Sequence, residues 1–162
     1  MKKLVLGALT SFAVSLGILF LTDGKVSVVF DEMLAGLHVV ALLTLTLSVS
    51  LFTYVDGILK DLSELKNRLS EEKYSLAVKK IASLRKEIII NVAIIVAFYL
   101  FERFTKGIFI SFELLAENHQ FQWIAISIRL TCMIVVLLTT IDLLYGFITS
   151  LKFREILANR SK

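Results

Sequence analysis

The sequence predicts an all-α integral membrane protein with four transmembrane helices and a cytoplasmic helical hairpin. Three observations predict this fold: two long apolar blocks, a polar stretch between them at residues 56–87, and a helical spacing of apolar residues within that stretch. The 162 residues are 57% hydrophobic, whereas soluble domains average about 45–50% apolar residues. Each block is long enough to cross a bilayer twice, because one helical crossing needs about 20 apolar residues. The length suits a single membrane domain, residues 1–162.

The first span is predicted at residues 4–22. Its apolar run is 18 residues long, which exceeds the roughly 7–15 residues of a signal-peptide core and favours a membrane helix. Gly7, Ser11 and Ser15 recur at every fourth position, and a ribbon of small residues lets a second helix approach closely. An amphipathic outer segment, too short to cross, is expected at residues 25–37.

The second span is predicted at residues 38–59. Its centre alternates apolar residues with hydroxyl residues, which taken alone is typical of a β-strand. A lone strand in lipid would leave its backbone groups unpaired, so we predict a helix. The remaining elements are a third span at residues 87–105, a second outer segment at 106–117, a fourth span at 123–151 and a polar tail at 152–162.

The hairpin is expected at residues 60–86. Two apolar stripes at spacings of four and three are typical of a helix or a coiled-coil seam: Ile58, Leu62, Leu65 and Leu69, then Ala77, Ile81, Leu84 and Ile88. Ser70 before Glu71 and Glu72 favours a helix start, because a hydroxyl cap and acidic residues satisfy the first turn. We predict two helices that break near residues 67–70, each continuous with a membrane helix. The apolar seams of the two helices are buried either against each other or against a partner protein. The two arrangements can coexist.

The placement of basic residues predicts the orientation. Fourteen of the 18 Lys and Arg residues lie at the N-terminus, in the hairpin or in the tail. By the positive-inside rule, both termini and the hairpin face the cytoplasm of a bacterial inner membrane. This topology accounts for most of the net charge of +4, so direct nucleic acid binding is not expected. The candidate residues for docking a soluble cytoplasmic protein or anionic lipid are Lys66, Arg68, Lys73, Lys79, Lys80, Arg85, Lys86, Lys152 and Arg154.

The two halves of the chain align with each other when one is shifted by about 83 residues, which predicts a tandem two-span duplication about an axis along the membrane normal. Lys2-Lys3 then falls on Arg85-Lys86, and Asp56 and Asp142 take similar places late in the second span of each half.

Ionisable residues inside a span cost roughly 2.5–3.5 kcal/mol on insertion scales, so each needs a partner or a purpose. Arg129 lies six residues beyond Trp123, about 9 Å into the membrane, and Glu102 has a comparable depth. We predict that these two side chains pair between helices. Alternatively, Arg129 snorkels to the outer interface or pairs with another acidic residue: Asp31, Glu32 or Glu113.

A second polar group is predicted nearer the cytoplasmic side, formed by Asp56, Asn91 and Asp142. Asp142 has no basic residue within one turn, whereas Asp56 can pair with Lys60 at i+4. Either the three side chains hold helices together, or they form an ion or proton site.

Motifs of catalysis and of metal or nucleotide binding are missing from the sequence, so no enzyme, cofactor or metal site is expected. The two histidines lack a third ligand nearby. Cys132 lies in an apolar run, which predicts a buried and inert thiol.

Two functions are compatible with this architecture. The first is an oligomeric membrane anchor and sensor, a homo-oligomer whose hairpin and tail dock a soluble effector. The second is a pore lined by the hydroxyl residues of the second span with Asp142 and Asp56. In span count, size and cytoplasmic extensions the chain resembles the small four-span membrane subunit of the Kiwa anti-phage defence system. The resemblance implies a scaffold that works with a soluble DNA-binding partner, met by the hairpin and tail.

Overall fold

The computed structural model describes residues 2–64, 71–111 and 119–160, and it confirms the predicted all-α fold. Within these residues five helices follow one another: α1 (Lys2–Leu21), α2 (Ser27–Ala35), α3 (Leu37–Glu64), α4 (Glu71–Ser111) and α5 (His119–Arg160). In the part of the chain that the structure describes, four helical stretches are long and apolar enough to cross a membrane: Leu4–Leu21, Ser27–Glu64, Tyr74–Phe109 and His119–Glu155.

The long helices continue through the ends predicted for the spans. The alternating segment at residues 43–51 lies inside α3, which confirms the helical interpretation. As predicted, α3 and α4 run without interruption from the apolar blocks into the polar stretch, and Glu71 and Glu72 occupy the first turn of α4. The predicted break at residues 67–70, with Leu65, Leu69 and Ser70, lies outside the described residues.

Two helices extend beyond the predicted spans. α5 continues through the predicted polar tail to Arg160, and α4 continues past residue 105, the predicted end of the third span, to Ser111. No proline is present to stop either helix. The residues after 151 are mostly good helix formers, so polarity alone does not end the helix.

The chain forms two compact units, each containing segments from both halves of the sequence. Unit 1 comprises Met1–Leu43 and Ile94–Thr139, and unit 2 comprises Thr44–Ala93 and Thr140–Lys162. These units do not coincide with the halves of the predicted duplication, which stays a prediction.

In unit 1 the small-residue ribbon of α1 is used within the chain. A Cβ on Gly7 would lie 3.0 Å from Leu138 Cδ1 of α5. Ser15 is buried, and Ser11 is half-buried. The ribbon therefore allows close packing of α1 on α5, as small residues do in membranes. It gives no separate support to a contact between copies of the chain.

Unit 2 buries the predicted apolar stripes. On α3 and α4, Ile58, Leu62, Ile81 and Ile88 are each 4% exposed or less. Leu84 and Ala77 are half-buried. In water, each fully buried side chain of this size stabilises a fold by about 1.5–3 kcal/mol. The stripes therefore form a core among α3, α4 and α5 that continues into the polar stretch.

Candidate functional site

The best-buried ionic group of the described residues lies in unit 1 and is centred on Arg129 of α5. Its Nε donates a hydrogen bond to Glu102 Oε1 of α4 at 2.8 Å, and its Nη1 donates to Asp31 Oδ1 of α2 at 3.0 Å. The Glu102 side chain is 2% exposed and that of Arg129 is 12% exposed. The predicted Glu102–Arg129 pair is confirmed, and Asp31, which was considered as a competing partner, binds the same guanidinium.

A second cation balances this group. Arg103 Nε lies 3.7 Å from Glu102 Oε2, and its guanidinium stacks over the Tyr99 ring at 5.4 Å. Two carboxylates are thus held by two guanidiniums, so the group carries no formal net charge. Removing one partner of a buried pair leaves the other charge uncompensated, at a typical cost of about 3–5 kcal/mol. The arrangement ties α2 to α4 and α5.

Trp123 fixes the turn that leads into α2, and hence the position of Asp31. Its ring packs edge-on against Phe20, with centroids 6.2 Å apart. Gly24 in the turn has a φ of +73°, and a Cβ there would lie 2.5 Å from Trp123 Nε1. Only glycine combines that backbone conformation with so close an approach. The sequence indicated Trp123 as an interfacial residue but gave no sign of this contact.

Two further polar side chains in unit 1 are buried. Ser127, which sequence reasoning missed, is fully buried, and its hydroxyl has no hydrogen-bond partner within the described part of the chain. Cys132 is buried as predicted. Among residues 2–64, 71–111 and 119–160 no three His, Cys, Asp or Glu side chains lie together as metal ligands would.

In unit 2 Asp56 pairs across to a neighbouring helix. Its Oδ1 lies 3.1 Å from Arg85 Nη1, and the Arg85 guanidinium stacks over the Phe52 ring at 4.6 Å. The sequence offered Lys60, at i+4 on the same helix, as a residue with which Asp56 can pair. A bond across to α4 is made instead because the planar guanidinium can pair and stack at once. Arg85, predicted as a docking residue, is therefore engaged within the chain.

Arg154 is a second predicted docking residue with an internal partner. Its Nε lies 3.9 Å from Asp61 Oδ2 of α3, and it stacks over the Tyr54 ring at 5.2 Å. Tyr54 in turn packs against Phe147, with centroids 6.0 Å apart. These contacts join the end of α5 to α3, so the polar part of unit 2 has three helices where the sequence predicted a hairpin of two. We call this part the polar extension: residues 56–64, 71–86 and 152–160.

Four other candidate docking residues are exposed and make no ion pair with any described residue: Lys79, Lys80, Lys86 and Lys152. Lys66 and Arg68 lie outside the described residues, as does the side chain of Lys73. Leu76 stands among the lysines of α4 with 63% of its surface exposed. The sequence did not predict that Leu76 is exposed, because its outward orientation follows from which of the neighbouring residues are buried.

The predicted polar group of Asp56, Asn91 and Asp142 does not assemble. Asp142 is exposed and Asn91 is half-buried, and neither makes a hydrogen bond or ion pair with the residues that the structure describes. A buried polar contact does join α3 and α5 nearby, where Thr44 and Thr140 share a hydrogen bond of 2.9 Å between their hydroxyls. Thr44 belongs to the alternating hydroxyl residues of the second span, but the sequence did not indicate Thr140 as its partner.

Comparison of the chain with models of protein families, with curated proteins and with solved structures gave no match.

Proposed function

We propose that the protein is an oligomeric membrane anchor and sensor that docks a soluble cytoplasmic effector on its polar extension. In this proposal the apolar helices cross the bacterial inner membrane, and both termini and the extension lie in the cytoplasm. The observation that carries the proposal is the unbroken passage of α3, α4 and α5 from apolar stretches into a packed polar extension. Such helices transmit a displacement in the membrane directly to the docking surface.

The extension has the features of a platform rather than of a connecting loop. Leu62 and Ile81 are at most 4% exposed there, and the Asp61–Arg154 pair joins α5 to α3. Leu76 is exposed on the outside of this core, next to Lys79 and Lys80, which make no ion pair with a described residue. Apolar side chains surrounded by charged ones are typical of transient protein interfaces. We assign Leu76 to the centre of the docking surface.

The outer end of unit 1 supplies the sensing element of the proposal. On α2, Val28, Val29 and Met33 are each at least 50% exposed, while Leu34 is buried and Asp31 binds Arg129. An amphipathic segment that presents apolar side chains outward is suited to the membrane interface. Its ion pair to Arg129 connects it to α5, which continues into the polar extension. In line with the resemblance to the Kiwa subunit, we place the protein in anti-phage defence.

Docking is tested by capture of soluble proteins from cells that carry the neighbouring genes. Leu76→Asp should abolish capture, since a charge at the centre of an apolar contact is costly to bury. Ser75→Asp adds the same charge at the adjacent exposed position and should leave capture within about twofold, as expected of a surface change away from the contact. Equal capture by both variants would contradict the proposed docking surface.

A pore is the second candidate function, and one observation favours it. Asp142 is an exposed carboxylate within the apolar part of α5, ten residues or about 15 Å from Lys152. Exposure of a carboxylate to lipid is costly, so Asp142 requires a polar neighbour such as water or a second copy. Ion currents across planar bilayers that depend on Asp142 would favour the pore over the anchor.

A further inference from the structure

Three exposed lysines lie on unit 2, one on each of its long helices: Lys60 on α3, Lys80 on α4 and Lys152 on α5. None of them pairs with an acidic side chain among the described residues. The arginines of the same region are already neutralised, because Arg85 pairs with Asp56 and Arg154 pairs with Asp61. The three lysines, together with Lys79 next to Lys80 on α4, are therefore the positive charges at this level of the unit that make no ion pair with a described residue.

Lys60 and Lys152 lie at one level along the helix axes. Thr44 contacts Thr140, and farther along Asp61 contacts Arg154, so α3 and α5 run in the same direction. Lys60 comes one residue before Asp61, and Lys152 comes two residues before Arg154. At a rise of 1.5 Å per residue, the two lysines differ in level by only about 2 Å.

Lys80 lies at the same level because α4 runs antiparallel to α3. The pair Asp56–Arg85 fixes the register of the two helices. In a parallel arrangement Glu64 and Glu71 would be about 33 Å apart along the axes, and the connection between them reaches at most about 25 Å. Lys80 comes five residues before Arg85 and Lys60 four residues after Asp56, so both lie about 6–8 Å beyond that pair in the same direction.

Each of the three lysines is an exposed residue of its own helix. Lys60 lies two residues before buried Leu62, and Lys152 lies two residues after buried Ser150, so each is on the helix face opposite the core. Lys80 precedes buried Ile81 and points to the side of α4. We call these three residues the lysine belt. The nearest acidic residues that make no ion pair with a described residue, Glu64 and Glu155, come three to four residues later, about 5–6 Å farther from the apolar stretches.

We propose that the lysine belt binds the phosphate groups of anionic phospholipids where unit 2 leaves the bilayer. A headgroup layer meets every helix of the unit at a single level, and the belt places one exposed lysine on each of the three helices at such a level. Lysine suits this contact because its apolar stem lies along the helix while the ammonium reaches the phosphate. The inference rests on the membrane insertion in the proposed function but not on the docking of an effector.

The test is the enrichment of phosphatidylglycerol over phosphatidylcholine around the full chain in mixed-lipid nanodiscs, measured by mass spectrometry of the retained lipids. Near a membrane surface each lysine contributes about 1 kcal/mol, which is about fivefold in a binding constant. Lys60→Gln/Lys152→Gln should lower the relative affinity for phosphatidylglycerol by about 25-fold, and adding Lys80→Gln should lower it further. The control Lys25→Gln/Lys106→Gln removes two exposed charges from unit 1 and should leave the enrichment at this belt unchanged.

Two results would overturn the proposal: equal enrichment by the belt variant and the unmodified chain, or an equal loss in the control. Unmodified protein gives a second test, since enrichment should fall as salt screens the exposed lysines, and insensitivity to salt would also overturn the proposal. If the belt variant keeps its lipid enrichment but loses effector capture, the belt is a protein-binding surface instead. If no variant captures an effector while the belt controls the lipid, the proposed docking fails and the lipid site stands.

Discussion

Arg129 Nε donates to Glu102 Oε1 at 2.8 Å, and this pair lies in unit 1 with the carboxylate 2% exposed. Because Asp31 shares the guanidinium, the pair also holds the short helix α2. The stability of unit 1 therefore depends on the pairing of Arg129 with Glu102, because either charge alone would be costly in lipid or in an apolar core.

The first prediction concerns this pair. Arg129→Leu should destabilise the protein in detergent by about 3–5 kcal/mol, because the buried Glu102 side chain loses its closest partner. Glu102→Gln/Arg129→Leu should recover part of the loss, since no unpaired carboxylate remains between them. Asp31→Asn serves as the control: its side chain is 55% exposed, so about 1 kcal/mol or less is expected. A melting profile of Arg129→Leu that matches the unmodified chain would mean that the arginine contributes nothing by pairing.

The second prediction concerns the turn before α2. Gly24→Ala should destabilise unit 1 by about 1–3 kcal/mol, since the residue has positive φ and its Cβ would overlap Trp123. The displaced ring should change the fluorescence of the single tryptophan in the chain. Gly17→Ala is the matched control, because no atom lies within 4 Å of its added Cβ and alanine favours the helix. Identical emission and stability of the two variants would contradict the account of this turn.

The third prediction concerns the core of the polar extension. Leu62→Ala or Ile81→Ala should cost about 2–5 kcal/mol and expose the extension to proteases, because each side chain is buried. Leu76→Ala removes an equally large side chain that is 63% exposed, so its stability should change by about 0.5 kcal/mol or less. Equal protease resistance of all three variants would show that the extension is not a packed unit.

The fourth prediction concerns Asp142. Asp142→Asn should leave the unfolding of the single chain unchanged, since Asp142 has no ion pair within the described ranges. It should weaken self-association in nanodiscs by about tenfold or more, because a charged hydrogen bond between copies contributes about 1.5–3 kcal/mol. The readout is the particle mass as a function of protein concentration. Unchanged association would place Asp142 outside the contact between copies.

The parts of the fold that depend on periodicity could be predicted from the sequence. The spacing of Ile58, Leu62, Ile81 and Ile88 identified a face that the structure buries. Glu102 and Arg129 were predicted to pair because they lie at a comparable depth in two predicted spans, and the structure confirms the pair. Both inferences use distances along a helix, which the sequence supplies directly.

Contacts that depend on the rotation and register of neighbouring helices could not be predicted. The sequence offered Lys60 as the local partner of Asp56, while the structure brings Arg85 across from α4. The sequence placed Arg154 in a polar tail without a partner. In the structure α5 remains helical there, and Arg154 pairs with Asp61 of α3. In each case an arginine that could stack on an aromatic ring formed the cross-helix pair, which is a preference that lysine does not share.

The central claim is that the polar extension lies in the cytoplasm, and labelling of single cysteines from outside intact cells tests it most directly. Cys132 is buried and is first replaced by alanine, after which Ser75→Cys in the extension and Lys25→Cys before α2 provide exposed reporters. A membrane-impermeant maleimide should label Lys25→Cys in intact cells and Ser75→Cys only after permeabilisation. Labelling of Ser75→Cys from outside intact cells would contradict the orientation and, with it, the proposed docking of a cytoplasmic effector.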